Sequence, residues 1–341
     1  DTVIVAGRDV TSAASDVLAK GDIGVSAGRD ITLTTATESD YSYREKITTK
    51  KGFLSKKTTH TINEASSTNE KGTLLSGDNV SLQAQNNLLV RGSAVAADGD
   101  IALKAGKDVT LEAATETSSH YDMKETKKSG VMGGGLGITI GSQSSKLSRK
   151  GNEVKESDAR SVIGTTGGNV IINAGEKATL SATDVVAARA ADDTSRKTGH
   201  IDITASDIAI IPGKDVVQET VKQSSKSSGV GISFSNPIVD AVRNLRDIVK
   251  MGGSGITQGK TLAGEIGATI TDAGGPTELP ISYGRSSSKS ESNYSAEFAT
   301  GSNLTAAGNI QLNATGTKGQ GDVLIGGNRL GAGESVIIDA K

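Results

Sequence analysis

A short phrase occurs twice in this chain, and its return limits the folds that the chain can adopt. Residues 26–38 read SAGRDITLTTATE, and the phrase returns 78 positions later as KAGKDVTLEAATE at 104–116. The alignment continues without a gap from 37–52 onto 115–130. Self-similarity at a fixed long period is typical of repeat proteins, in which each unit packs mainly against its neighbours.

Apolar residues alternate with polar ones in both copies. A period of two indicates short strands with one buried face. Runs of this kind lie at 23–27, 31–33, 80–84, 101–105, 109–113, 170–174, 178–182, 201–205, 310–314, 323–325 and 336–340. The pattern therefore predicts many short strands along the whole chain.

A Gly-Arg/Lys-Asp-Val/Ile pattern recurs at 7–10, 28–31, 106–109 and 213–216, next to these strands. Glycine is able to take the positive backbone angle that a sharp corner requires, and a following Asp accepts hydrogen bonds from nearby amides. We therefore predict eight structural corner residues: Gly7, Asp9, Gly28, Asp30, Gly106, Asp108, Gly213 and Asp215.

Strand, corner and strand at this spacing predict an all-β solenoid whose coils stack about 4.8 Å apart. A β-sandwich or barrel is the rival fold, and it would favour longer strands, hairpin turns and aromatic core residues. The chain has 3 Phe, 5 Tyr and no Trp, and it is rich in glycine. We therefore predict a single solenoid over 1–341, as a segment of a longer protein.

Polar segments rich in Ser and Lys interrupt the coils. They are too polar for a solenoid interior and too long and regular for corner loops. We predict β-hairpins that leave the solenoid at about 38–72, 116–163, 217–235 and 283–300. Successive hairpins would pair edge to edge into a second sheet. The alternative is a set of disordered loops.

Two of these segments contain apolar, glycine-rich stretches, GVMGGGLGITIG at 130–141 and GVGISF at 229–234. Contiguous apolar surface that is exposed at a hairpin tip would contact a partner or a membrane. Alternatively, the tips pack on each other or on the solenoid flank. The candidate contact residues are Val131, Met132, Leu136, Ile138, Ile140, Val230, Ile232 and Phe234.

One segment departs from the β pattern. Asn236-Pro237 is a typical helix start, and apolar residues then recur at helical spacing, which predicts a short amphipathic helix at about 237–251. It would cover a flank of the solenoid or lie on a membrane surface. Residues 252–282 are predicted to form an irregular linker.

The charged residues do not indicate catalysis. A net charge of −2 gives no electrostatic case for nucleic acid, and the absence of Cys excludes disulfides. His60, His120 and His200 lie in three separate segments, while the corner aspartates recur with the repeat, as structural residues do. We predict no enzymatic activity, no cofactor, no metal site and no nucleic-acid partner.

The runs AGRDITL, AGKDVTL, GGNVIINAGEKATLSA and GSNLTAAGNIQLNATG resemble the haemagglutinin repeats of two-partner-secreted exoproteins of Gram-negative bacteria. That group includes filamentous haemagglutinin-like adhesins and contact-dependent growth-inhibition effectors. With SNPIVDAVRNLRDIVK, the chain is most similar to the second haemagglutinin-repeat region of the growth-inhibition effectors. The resemblance implies a right-handed parallel β-helix, export to the cell surface through an outer-membrane partner, and virulence or competition by contact with another cell.

The resemblance favours a non-catalytic stalk and delivery segment, which associates with the outer membrane of a target cell and helps to transfer a C-terminal toxin. The alternative function is a surface adhesin module that binds a host or bacterial glycan or receptor through the hairpins. A carbohydrate-active enzyme is the third hypothesis, and it would require a convergent pair of carboxylates on one face.

Overall fold

The computed structural model of the chain describes residues 1–134, 137–189, 197–233, 281–317 and 321–341. No helix occurs within these ranges. The helix predicted at 237–251 lies outside them, as do Leu136, Phe234 and all but the end of the predicted linker. Only the backbone of Ile232 is described.

Short parallel strands wind into a β-helix with three sheets, which confirms the predicted fold class. The first sheet contains β1 (Thr2–Ala6), β4 (Ile23–Ala27), β9 (Val80–Ala84), β12 (Ile101–Ala105), β17 (Val170–Ala174), β20 (Ile201–Ala205), β25 (Ile310–Ala314) and β28 (Val336–Ala340). The second contains β2 (Val10–Ala13), β5 (Ile31–Thr34), β10 (Leu88–Arg91), β13 (Val109–Glu112), β18 (Lys177–Ser181), β21 (Asp207–Ile211) and β26 (Val323–Ile325). The third contains β3 (Asp16–Leu18), β8 (Leu74–Gly77), β11 (Ala94–Ala97), β16 (Ser161–Thr165), β19 (Thr183–Ala187), β24 (Asn303–Ala306) and β27 (Arg329–Ala332).

Aliphatic side chains stack from coil to coil inside the solenoid. In the first sheet, Ile101 lies between Val80 and Val170 in the register, and all three are at most 1% exposed. The buried residues of the described chain include no Phe, Tyr or Trp. Small branched side chains therefore fill the interior, as the composition predicted, because each position meets its counterpart one coil away.

Side chains at the corner before the first sheet link successive coils. Asn79 Oδ1 accepts a hydrogen bond from the Asp100 backbone N–H at 2.8 Å, and Asp100 Oδ1 accepts one from Asn169 N–H at 2.7 Å. The ladder also contains the acceptors Asp1, Asp22, Asn169 and His200, each bonded to the next coil. These bonds satisfy backbone donors that the strands leave free at the corner.

Three of the predicted corner aspartates, Asp9, Asp30 and Asp108, also accept hydrogen bonds from a neighbouring coil. Asp30 accepts from the Asn87 N–H at 3.1 Å and Asp108 from the Lys177 N–H at 3.1 Å, so each bond runs to a different coil. Asp9 accepts a weaker bond from the Asp30 N–H at 3.4 Å. The aspartates therefore hold neighbouring coils together as well as shaping the bend.

The corner glycines are required for a reason that differs from the predicted one. Gly28 and Gly106 do not have a positive φ. A Cβ atom at Gly28 would lie 2.2 Å from the Gly7 carbonyl oxygen, and one at Gly106 would lie 2.0 Å from the Gln85 carbonyl oxygen. Glycine is needed at these corners because the neighbouring coil approaches too closely for any side chain. At Gly7 the same Cβ would meet no atom of the described chain.

Three long hairpins leave the solenoid between the second and third sheets. Their arms are β6 (Ala36–Lys51), β7 (Ser55–Lys71), β14 (Glu116–Gly134), β15 (Gly137–Lys155), β22 (Gly213–Ser233) and β23 (Ile281–Thr300). All six pair antiparallel within the one chain, in this order, and we call them the hairpin sheet.

A shared spacing lets the hairpins form one sheet. Hairpins leave from alternate coils, after β5, β13 and β21. Two coils advance the solenoid by about 9.6 Å, and the two arms of one hairpin occupy the same width, since both stack at about 4.8 Å. The period of 78 residues therefore corresponds to two coils and one hairpin, because β4 and β12 begin 78 residues apart.

The third hairpin differs from the sequence-based expectation. The segments predicted as separate excursions at 217–235 and 283–300 pair along their length as its two arms. Gly213 and Asp215 lie at the base of β22 rather than at a corner, because the chain passes from β21 through Pro212 directly into the long strand. Asp215 instead accepts hydrogen bonds from the backbone of Glu156 and Ser157, at the base of the second hairpin.

The burial pattern predicts opposite outcomes for two adjacent residues of β13. Leu111 is 0% exposed, whereas Thr110 points outward and is partly exposed. We expect Leu111→Asp to lower the free energy of unfolding by about 4 kcal/mol or more, because it buries an unpaired carboxylate and removes apolar contact. Thr110→Asp should change it by about 0.5 kcal/mol. Urea denaturation and amide hydrogen exchange in the neighbouring coils measure both, and equal losses would contradict the inward–outward assignment.

The close approach of coils predicts a large effect of a single methyl group. Gly106→Ala should destabilise the solenoid by about 1–3 kcal/mol, because the new Cβ overlaps a backbone carbonyl that cannot move freely. Gly164→Ala in β16 is the matched control, since its Cβ would meet no atom within 4 Å. Thermal melting compares the two variants, and an unchanged melting temperature for Gly106→Ala would show that the coils can separate at this corner.

Candidate functional site

The hairpin sheet has two open faces on which its side chains alternate. Directly paired residues lie on the same face of a sheet, so the register assigns each residue to a face. We call these the Tyr43 face and the Arg44 face, after two neighbouring residues of β6. Glu64, Tyr121 and Lys150 follow Tyr43 across the next three strands.

Charge is strongly segregated along the hairpins. The distal halves, which are the described residues of 44–63, 124–150, 220–233 and 281–293, contain sixteen Lys and Arg and three Glu. The proximal remainder of the six strands contains ten Asp and Glu and three Lys. The net charge of −2 conceals this separation, so the sequence-based reading of the charge missed a basic surface.

Each of the three distal glutamates already has a Lys or His partner. Glu125 lies 3.1 Å from Lys127, and Glu291 lies 3.1 Å from Lys222. Glu45 lies 2.6 Å from the Nε2 atom of His60 and accepts a hydrogen bond from Tyr43. The bonds from His60 and then Tyr43 hold the pKa of the Glu45 carboxyl below its usual range. The bond to Glu45 in turn raises the pKa of the Tyr43 phenol.

The proximal half is held by polar contacts between hairpins. Asn63 donates to Asp122 at 2.6 Å, and Arg149 pairs with Glu219 at 2.8 Å. Burial alone would raise the pKa of Asp215, but hydrogen bonds from Ser157, the Glu156 backbone and Thr300 lower it. Asp122, Asp215 and Glu219 are thus held in place by partners on a neighbouring hairpin or strand.

Lysines lie directly opposite one another in two cross-strand rows near the tip. Lys50, Lys57 and Lys128 form a row of three on the Arg44 face, and Lys51 lies opposite Lys56 on the Tyr43 face. We call these five residues the lysine rows. No carboxylate of a described residue lies within 4.0 Å of their ammonium groups. Like charges that face each other across strands destabilise a sheet, so this arrangement opposes folding.

An open depression of about 1050 Å³ lies on the Tyr43 face, beside Lys56. Its cationic lining comes from Lys56, Lys127, Lys128, Lys226, Arg285 and Lys289, and the lining also contains seven serines. Lysine ammonium and serine hydroxyl groups are hydrogen-bond donors. The depression is therefore suited to an anionic ligand that is rich in acceptor oxygens.

The predicted apolar residues come together beyond the lysine rows. Val131, Ile140 and Val230 are neighbours on the Tyr43 face, and Tyr283 completes the row. Val230 is buried at 3% exposure, while Val131 and Ile140 remain partly exposed. Met132 and Ile138 are also partly exposed, and Ile138 is next to the backbone of Ile232. The tip side chains thus partly pack on each other and partly face outward.

Sequence reasoning missed part of this apolar tip. Tyr283 is 61% exposed and Ile281 is 51% exposed, both in β23, and Phe53 at the end of the first hairpin is 72% exposed. The Val131 N–H donates to the Leu54 carbonyl at 2.9 Å, so the first hairpin ends level with Val131. The alternation in ISYGR at 281–285 is the signal that indicates this strand.

The three histidines lie apart in the structure. His60 lies on the Tyr43 face, His120 on the Arg44 face and His200 in the corner ladder of the solenoid. Within the described chain, no group of three His, Asp or Glu side chains is placed to hold a metal ion. None of the described residues form a helix of the length and apolarity needed to span a membrane.

Comparison with known families and proteins agrees with the fold. The family model described as Hemagglutinin repeat matches residues 51–190 and 281–341. A protein named 16S rRNA endonuclease CdiA, from Enterobacter cloacae, is 44% identical over 100% of this chain. A tRNA nuclease CdiA from Escherichia coli is 41% identical over 97% of the chain, and a deoxyribonuclease CdiA from Dickeya dadantii is 37% identical over 98%. No solved structure was found to match the chain.

The matching segment is a small part of these relatives. The chain covers 10% of the length of each of the three proteins. The activities in their names are activities of the whole proteins.

The lysine rows predict a substitution that stabilises the sheet. Lys57→Gln should raise the stability of β6, β7 and β14 by about 0.2–1 kcal/mol at low salt, because it removes the central charge of a like-charged row. The gain should shrink at high salt, where the repulsion is screened. Hydrogen exchange of the hairpin amides measures it. Lys104→Gln in β12 is the control, since its neighbours Gln83 and Asn173 are uncharged. A loss of protection in Lys57→Gln would contradict the repulsion.

Proposed function

We propose that this chain, which belongs to the haemagglutinin-repeat family, is a non-catalytic stalk and delivery segment of a secreted bacterial effector. In this role the solenoid is a rigid support that is exposed at the surface of a Gram-negative cell. The hairpin sheet associates with the outer membrane of a target cell and helps to transfer a C-terminal toxin. The parent protein is exported by an outer-membrane secretion partner.

The observation that carries this proposal is the arrangement of the hairpin sheet. Acidic residues lie near the solenoid, basic residues lie in the distal half, and partly exposed apolar side chains lie at the tip. Contiguous apolar surface next to a basic belt fits a membrane interface, where hydrocarbon and anionic headgroups are adjacent. The tip is also the part of the sheet that is farthest along the hairpins from the coils.

The names of the relatives support a carrier role. Three proteins that share this segment are named for cleavage of 16S rRNA, tRNA and DNA. A segment common to proteins with different nucleic-acid substrates does not itself determine the substrate. We therefore place the nuclease activity of such proteins outside the matching segment, and we assign this chain a task that all of them need.

Membrane association predicts the result of a flotation experiment. The purified chain should float with outer-membrane vesicles in a density gradient. Replacing the exposed tip residues by Ile281→Ser and Tyr283→Ser should lower the bound fraction about tenfold or more, since each buried apolar side chain contributes about 1.5 kcal/mol or more. The matched control is Val3→Ser with Val5→Ser, two side chains of β1 that are each 74% exposed.

Two other outcomes would contradict the proposal. Failure of the unsubstituted chain to float, in monomeric and multimeric forms, would remove the membrane role. Saturable binding to a glycan or a receptor protein, abolished by deleting 119–160 and independent of the tip residues, would favour the adhesin module instead.

A further inference from the structure

We infer that the lysine rows form a binding surface for the phosphate groups of anionic membrane lipids. This inference rests on the proposed membrane association and adds the chemical group that the sheet recognises. Its starting point is the like-charge repulsion within the rows, which the fold retains although no described carboxylate relieves it. An anionic ligand that binds between the lysines would replace their mutual repulsion by attraction to the ligand.

The donors around the rows favour phosphate. Ser129 pairs with Lys56 across the strands, and Ser142 and Ser228 follow in the same row. The Ser142 and Ser228 oxygens are 3.1 Å apart. Lysine ammonium groups with adjacent hydroxyls supply several donors to one phosphate, whose oxygens are strong acceptors. The open depression gives a headgroup access to these donors from solvent.

The position of the rows along the hairpins favours a membrane over a free polyanion. Lys128 precedes Val131 by three residues within β14, and Lys50 precedes Phe53, in the turn beyond β6, by three. Along β14 this separation is about 10 Å. The headgroup region on each side of a bilayer is roughly 5–8 Å thick beyond the hydrocarbon. Insertion of Val131 about 2–5 Å into the hydrocarbon would therefore place Lys128 at the level of the lipid phosphates.

The acidic proximal half of the hairpin sheet favours one orientation of the sheet at an anionic membrane. It would be repelled by the same anionic surface that attracts the lysine rows, over a range of about 8 Å in physiological salt. The sheet is therefore favoured tip-first, with the solenoid held away from the membrane. A nucleic acid, which has no apolar layer beside its phosphates, would leave the exposed Tyr283 and Ile281 without a role.

The experiment measures binding of the full chain to vesicles of defined composition. One set contains phosphatidylcholine with phosphatidylglycerol in a 7:3 ratio, and the other contains phosphatidylcholine alone; each is tested at low and high salt. We expect tighter binding to the anionic vesicles, and this preference should weaken at high salt. The variant Lys56→Gln, Lys57→Gln, Lys128→Gln removes charge from both rows and should lose about 100-fold in affinity for anionic vesicles, at about tenfold or less per lysine.

The control removes the same charge elsewhere. Lys20→Gln, Lys104→Gln and Lys107→Gln replace three exposed lysines of the solenoid, and this variant should keep the affinity of the unsubstituted chain. Hydrogen exchange verifies that both variants retain the hairpin sheet. An equal loss in both variants would overturn the inference, because it would show a general charge effect.

The remaining outcomes separate this inference from the proposed function. Salt-independent binding to both vesicle types would overturn the recognition of lipid phosphate by the lysine rows, but it would leave the proposed membrane association in place. Absence of binding to any vesicle would remove both. A tRNA or inorganic diphosphate that binds the lysine rows more tightly than anionic vesicles would show that the surface recognises a soluble polyanion.

Discussion

The structure depends on one spacing, the distance of about 4.8 Å at which backbone hydrogen bonds hold neighbouring strands. It sets the rise of each coil, and it sets the width of each hairpin arm. Because a hairpin has two arms and leaves from every second coil, the solenoid and the hairpin sheet advance together. If a hairpin left every coil, its two arms would be too wide for the space available in the hairpin sheet. If one left every third coil, neighbouring hairpins would be too far apart to pair.

The same spacing governs the side chains that the solenoid tolerates. Inside, each aliphatic residue meets a similar residue one coil away, so Ile, Val, Leu and Ala suffice for the core. At the corners, the neighbouring carbonyl lies so close that Gly28 and Gly106 have no room for a Cβ. Asn79 and Asp100 then satisfy the backbone donors that face the next coil. Solenoids of this kind are stable through such interfaces between neighbouring repeats.

The hairpin sheet has a different balance of forces. It is a single layer whose faces carry mostly polar side chains, and its distal lysines repel one another. Its stability comes from backbone pairing and from the solenoid, which positions the base of every hairpin. A rigid support of this kind allows a surface to keep a charge arrangement that an isolated sheet would not favour.

Alternation of apolar residues, the recurring corner and the 78-residue period were enough to predict a β-helix with β-hairpins that leave it. These signals are local, since a residue such as Leu111 faces inward because of its position within its own strand. Some apolar residues of the tip were also visible as the stretch around Val131, whereas Tyr283, Ile281 and Phe53 were not. The resemblance to haemagglutinin repeats, carried by the same runs, agrees with the matching family model.

The pairing of distant strands was decided only by the tertiary structure. Lys57 and Lys128 are far apart in the chain and become neighbours because the first and second hairpins have matched lengths and leave from alternate coils. The antiparallel pairing of β22 with β23 likewise places Tyr283 beside Val230. The pairing of all six arms brings the basic residues together in the distal half and the acidic residues together near the solenoid. A sequence determines which way each side chain points along its strand, but the register between strands sets which charges meet.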